Sequence, residues 1–191
     1  MNRQDIGAGF LGRLTPDERA VLVEAMETRK YQDGADIVTQ GDSTTDCFFL
    51  LEGRAMATVY AEDGRLVLLR EIGQGSVFGE FAALDGGPRT ADVVASGSVT
   101  VGRMSRDALF ASMERAPGIG RLLMGHLVHV IRLLSERIHE QTTLHVRERL
   151  LRELLRLGYA VAAGSDRATL RPPPTHAVLA ANIGTHREAV T

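Results

Sequence analysis

At 191 residues, 44% hydrophobic and 24% charged, the chain has enough apolar sequence for one large or two modest domains with buried cores. A net charge of −2 names no partner. A single cysteine, Cys47, excludes a disulfide framework, a cysteine-based zinc site and a cysteine-ligated iron–sulfur cluster. No run reaches the roughly 18 apolar residues of a membrane span, and the opening MNRQDIGAGFLGRL is too polar for a signal peptide. A cytoplasmic protein is expected.

Thr15-Pro16-Asp17-Glu18 predicts a helix start: Thr15 caps, Pro16 fits the first turn, and Glu18 stands three residues after the cap. That helix is expected to run to about Glu27. Strand-like runs follow at Arg29–Gln32, Asp36–Gln40, Cys47–Leu51, Ala55–Tyr60, Leu66–Ile72, Ala91–Ala95 and Val99–Met104. Turn signals separate them, among them Gln32-Asp33-Gly34, Glu52-Gly53, Asp63-Gly64 and Ser96-Gly97. Many short strands at such intervals predict an antiparallel sandwich or barrel.

From Ser105 the period changes. Ser105 caps a short helix to about Met113, and a longer helix runs from near Pro117 to about His145. In it Leu123, Leu127, Val130 and Leu134 alternate spacings of four and three, the seam of a coiled coil. Part of this helix is expected to cover the β domain and the rest to pair with a second copy; packing wholly within its own chain is the alternative. Val146 to about Leu157 is helical again, with Gly158 as its stop. Arg171-Pro172-Pro173-Pro174 forms a stiff, non-helical lead-in.

Thr175 to Val190 reads as a helix–turn–helix. Thr175 caps the first helix, Ala180 is small where two helices cross, and Gly184 makes the turn. Thr185 and Glu188 form a capping box opening the second helix, which is cut short at Thr191. Residues 146–191 hold seven arginines against four carboxylates, a net +3 that leaves −5 for the rest. A basic segment on an acidic body points to nucleic acid, although a solvated basic helix gives the same count.

GEFAALDGGPRTA, Gly79 to Ala91, holds the densest chemistry. Gly79 lets a ligand approach the backbone. The N–H groups opening the helical turn after it form an anion site. Arg89 has the planar fork that grips a phosphate with two parallel hydrogen bonds. Glu80 suits a sugar hydroxyl, and Thr90 adds a hydroxyl and an N–H. An anion site beside a hydroxyl acceptor describes a ribose phosphate; a direct Glu80–Arg89 ion pair is the plainer alternative.

This stretch resembles the phosphate-binding cassette of cyclic-nucleotide-binding domains, in which Phe-Gly-Glu-x-Ala is followed by a short loop and Arg-(Thr/Ser/Ala)-Ala. From about Leu14 onward the chain resembles the cAMP receptor protein/FNR (Crp/Fnr) superfamily of transcription regulators. The resemblance implies an α+β fold: an N-terminal antiparallel, jelly-roll-like β-roll over 1–112, a long dimerisation helix over 113–145, and over 146–191 the first part of a winged helix–turn–helix.

It also implies site roles. Glu80 would bind the ribose 2′-hydroxyl; Arg89, with the backbone at Ala82 and Thr90, would hold the cyclic phosphate; Leu69 and Phe81 would flank sugar and base. The family's Thr-Ser pair that reaches the adenine falls on Leu134-Ser135. Leu134 can neither donate nor accept, whereas Ser135 can reach the base. Thr90 beside Arg89 resembles domains that accept cGMP, so the effector is cAMP or cGMP. The recognition helix would enter the major groove with Arg187 on a guanine and Glu188 on a cytosine, and Thr185 and His186 on the backbone.

The implied partners are double-stranded DNA, a second copy of the chain and RNA polymerase, with no membrane. No His precedes His126, so a haem ligand in the β domain is lacking. His126 and His129 stand one turn apart, a spacing that can hold a metal but reads as a solvated helix face. No metal, haem or iron–sulfur cluster is expected, and no catalytic frame marks an enzyme. A regulator of the same fold with another effector or none, and a cyclic-nucleotide sensor module acting on a protein partner, stay open.

Overall fold

The computed structural model describes residues 9–60, 66–161, 167–170 and 173–191, and for residues 60, 66–69, 160 and 161 the backbone alone. The described chain divides into two compact units, Met1–Val128 and His129–Thr191.

The first unit opens with a short turn α1 (Gly9–Gly12) and the helix α2 (Pro16–Ala25). Both halves of the predicted capping box form: Glu18 N donates to Thr15 Oγ1 at 3.3 Å and Thr15 N to Glu18 Oε2 at 2.9 Å. Six strands follow in one antiparallel sheet: β1 (Glu27–Tyr31), β2 (Asp36–Val38), β3 (Cys47–Tyr60), β4 (Leu66–Ile72), β5 (Val77–Phe78) and β6 (Asp92–Met104). The path is β1-β6-β3-β4, with β2 on β6 and β5 on β3.

Two expected turns are bends inside long strands. Glu52-Gly53 lies within β3 and Ser96-Gly97 within β6. Glu52 pairs with Thr100 and Arg54 with Ser96, so one residue of β3 faces three of β6 and the ladder continues past the irregularity. Gly53 permits this. Its φ is +87°, and a Cβ there would lie 2.4 Å from the Ser98 carbonyl oxygen.

Strand alternation makes two cores. On β3, Phe48 and Leu50 turn into a core with Ile37, Ile72, Phe78, Val99 and Val101. Cys47 and Phe49 turn the other way, onto Phe10, Leu22, Met104, Leu109, Ile119 and Leu123. The helices of the second core are α2, α4 (Arg106–Arg115, capped by Ser105 Oγ on Ala108 N at 3.2 Å) and the start of α5 (Pro117–Thr143). The short helix α3 (Glu80–Asp85) sits between β5 and β6. No helix among the described residues is long and apolar enough to cross a membrane.

The expected seam on α5 is displaced. Leu123 is spent in the core, and the large apolar residues left exposed are Met124, Val128, Ile131, Leu133, Leu134 and Ile138.

In the second unit α6 (Val146–Val161) continues through Gly158, the expected stop, which has Ala168 packed beside it. Its buried Glu153 accepts from Arg156 Nη1 at 2.7 Å and from Asn182 Nδ2 of α7 (His176–Asn182) at 2.9 Å. Thr175 caps α7, accepting from Val178 N at 3.2 Å. The second helix of the pair is a single 3₁₀ turn, Arg187–Val190. The Thr185–Glu188 box is not formed: His186 holds the cap position, its side chain making no capping hydrogen bond to the turn, and Thr185 N closes the preceding turn on Ala180 O at 2.9 Å.

Candidate cyclic-nucleotide site

The site grows from the end of β5. Val77 and Phe78 pair with Phe49 and Phe48 of β3, which anchors the segment to the sheet. Gly79 then turns into the left-handed region, φ +71°, and α3 begins at Glu80. A Cβ at Gly79 would lie 2.7 Å from Nη1 of Arg89, so the glycine serves a close approach as well as a turn.

Arg89 comes from the loop before β6. Its backbone is clamped to the β2–β3 loop, with Arg89 N on Asp42 O and Gly41 N on Arg89 O, both at 2.9 Å. The side chain is 4% exposed. Nη1 donates to Gly79 O at 2.9 Å and Nε to Thr44 Oγ1 at 3.0 Å. The guanidinium carbon lies 5.5 Å from the Phe48 ring centroid, and that ring stacks on Phe78 at 5.2 Å. Nη2 is buried with no hydrogen-bond acceptor. Burial lowers the guanidinium's pKa from its usual value, and Asp46 is the largest of the nearby groups that oppose this. A buried, unpaired guanidinium N–H is costly unless an acceptor reaches it, and an anionic oxygen is the strongest such acceptor.

Glu80 is also 4% exposed. It does not turn to Arg89: its Oε1 lies 3.3 Å from Nε2 of His126 on α5. The imidazole is therefore not on a solvated face, as its spacing from His129 had suggested. It packs edge-on against Phe10, with ring centroids 6.5 Å apart and an interplanar angle of 86°. His129 is exposed. Among the described residues no group of three His, Cys, Asp or Glu is placed to hold a metal ion. Cys47 is buried beside the cassette; burial first, and Glu80 second, push its thiol well above the usual range.

The remaining expected residues fall as follows. Ala82 is buried in α3, Phe81 is at its exposed edge, and Thr90 is exposed. Leu69 lies on β4, with its side chain outside the described residues. Ser135 is exposed on α5 within the second unit. Thr185 is half-buried, and His186, Arg187 and Glu188 are exposed on and before the 3₁₀ turn. Sequence reasoning missed Thr44 and His126. Only for His126 was there a signal: it stands three residues beyond buried Leu123 and seven beyond buried Ile119, on the same helix face.

The chain is similar to known proteins in sequence and in overall fold. The family model for the cyclic nucleotide-binding domain matches residues 28–116. The chain is 36% identical over 112 residues to a cAMP-dependent protein kinase regulatory subunit of Colletotrichum orbiculare, a match covering 59% of this chain and 28% of the relative. It thus spans little more than a quarter of that relative's length. It is 26% identical over 150 residues to the CRP-like cAMP-activated global transcriptional regulator of Mycobacterium tuberculosis, covering 78% of this chain and 67% of the relative. The crystal structure of the catabolite activator protein of Thermus thermophilus superposes with a TM-score of 0.65 at 25% identity, over 95% of this chain and 82% of that one. Residues 28–116 thus match the cyclic nucleotide-binding domain family, and the sheet with its flanking helices resembles that of the Thermus thermophilus protein.

Proposed function

We propose that the chain is a homodimeric Crp/Fnr-type transcription regulator, gated by cAMP or cGMP bound at the cassette and acting on double-stranded DNA through its C-terminal unit. Arg89 carries this reading: two of its nitrogens bond its own scaffold, while buried Nη2 has no acceptor. A cyclic phosphate supplies the anionic oxygen that this donor lacks. Glu80 takes the ribose 2′-hydroxyl, the backbone at Ala82 and Thr90 completes the phosphate site, Leu69 and Phe81 flank sugar and base, and Ser135 reaches the base. The relatives' names speak for cAMP; the Thr90 hydroxyl keeps cGMP a candidate.

The dimer rests on α5. Met124, Val128, Ile131, Ser135 and Ile138 recur at alternating spacings of four and three along it, with Ile131 61% and Ile138 62% exposed. Exposed apolar residues at this period are stabilised by a second helix of the same kind. Arg187 and Glu188 stand exposed after α7, where they read guanine and cytosine edges, with Thr185 and His186 on the backbone. Such a protein works in the cytoplasm beside RNA polymerase and catalyses nothing itself.

The likeness to kinase regulatory subunits favours one other reading, a cyclic-nucleotide module whose output partner is a protein. Calorimetric titration with cAMP and with cGMP tests the shared part. Saturable binding of either, lost in a folded Arg89→Ala variant, supports it; no heat from either overturns it. Sequence-selective binding of double-stranded DNA, relaxed by Arg187→Ala, separates the regulator from the protein-directed module.

A further inference from the structure

Building on the cyclic-nucleotide reading above, we propose that His126 is a positioning residue that sets selectivity for the ribose 2′-hydroxyl: from α5 it holds Oε1 of Glu80 and leaves Oε2 as a fixed acceptor. The carboxylate is thereby pinned from two sides. At its backbone, the preceding residue Gly79 is tied by its carbonyl to Arg89 Nη1 at 2.9 Å. At its head, Oε1 meets His126 Nε2 at 3.3 Å.

A glutamate's terminal torsion is broad, so a buried head group without a partner samples many orientations. One donor on one oxygen removes that freedom before any ligand arrives, and preorganised acceptors discriminate better than mobile ones. A carboxylate only accepts, so Nε2 carries the hydrogen and the imidazole is the donor.

The imidazole is itself held. Leu123 and Ile119, one and two turns earlier on α5, are buried in the helix-facing core. Phe10 meets the ring edge-on. The side chain of His126 is 17% exposed and that of Glu80 5%, so water competes little for their contact. Nothing in the cassette itself supplies this donor: Arg89 is directed to Gly79 and Thr44. The long helix therefore contributes to reading the sugar, 46 residues downstream of the carboxylate it steadies.

The test compares dissociation constants for cAMP and 2′-deoxy-cAMP in the wild type, His126→Leu and His126→Gln, with thermal melts to confirm folding. Wild type is expected to prefer cAMP by about tenfold or more, the worth of one hydrogen bond to a charged group. His126→Leu should weaken cAMP binding and change 2′-deoxy-cAMP binding by no more than about twofold, collapsing the preference. His126→Gln, whose amide still donates, should restore most of it. A preference unchanged in His126→Leu, or equal losses for both nucleotides that Gln does not repair, would overturn the role of His126 while leaving the nucleotide site standing. Wild-type protein that binds neither nucleotide would overturn both.

Discussion

Arg89 and Gly79 are fitted to each other: Nη1 of the arginine donates to the glycine carbonyl at 2.9 Å and occupies the space that a Cβ at position 79 would enter. The fork is thus set by the turn that opens α3, and the turn by the fork. Nη2 is left over, buried and without an acceptor. The scaffold holds the guanidinium rigidly while one of its donors stays uncommitted, as an anion site requires.

Replacing Arg89 by Lys tests that division of labour. Lysine keeps the charge but has one nitrogen, which cannot serve Gly79, Thr44 and a phosphate together. The expected outcome is a rise of about tenfold to a hundredfold in the dissociation constant for cAMP, with a stability loss of about 1 kcal/mol. Calorimetry and urea denaturation read the two effects separately. Unchanged affinity would show that the fork does not hold the phosphate.

Gly53→Ala and Gly97→Ala probe the bend shared by β3 and β6. Both glycines have positive φ, +87° and +79°. A Cβ at 53 meets the Ser98 carbonyl at 2.4 Å, whereas at 97 nothing lies within 4 Å. Gly97→Ala is expected to cost about 1–2 kcal/mol, the left-handed penalty alone. Gly53→Ala should cost clearly more, about 3 kcal/mol, because backbone must move as well. Equal costs in chemical denaturation would mean that the close approach relaxes freely.

Ile131→Lys and Ile138→Lys place charge on the exposed stripe of α5. Light scattering on the wild type should give twice the 20.7 kDa chain mass, and the double variant should run at the chain mass with its α-helical circular dichroism largely kept. A wild-type monomer at micromolar concentration would remove the dimer from the proposed function.

Cys47 yields a pH prediction. Its thiol is pushed up in the folded state, chiefly by burial. The unfolded thiol ionises near about pH 8.5 and the folded one far above. Below the unfolded value the two states bind the same proton and this group's contribution is fully present. Above it only the unfolded state releases the proton, so stability falls as pH rises, by up to about 1.4 kcal/mol per pH unit. Denaturation of wild type and Cys47→Ala at pH 7 and pH 9.5 should show that extra loss in the wild type alone. Thiol reagents should likewise label Cys47 only on unfolding, since the thiolate is the nucleophile.

Much of the local structure was legible in the residues. The capping signals of Thr15, Ser105 and Thr175 act within one turn, and each forms as expected. The cassette was legible for a similar reason: Gly79 and Glu80 share one turn, and Arg89 follows on the next loop. Other local signals were outvoted by longer-range contacts. Glu52-Gly53 and Ser96-Gly97 look like turns, but the β3–β6 ladder pairs residues distant in sequence, from Thr58 with Asp92 to Cys47 with Met104, and carries both strands through. Gly158 looks like a stop, yet α6 runs on to Val161. Thr185 looks like a cap, but its N–H is taken by Ala180.

By itself the sequence determined where α2, α4 and α7 begin, because each cap bonds a backbone group only three positions away. The tertiary structure decided the partners: Thr44 for Arg89, 45 residues away, and His126 for Glu80, 46 away. It also decided the phase of the exposed stripe on α5, because burial of Ile119 and Leu123 in the core fixes which side of the helix is left over. A sequence states which groups need a partner; only the packed chain, by bringing distant segments within about 3 Å in low dielectric, determines which partner each one gets.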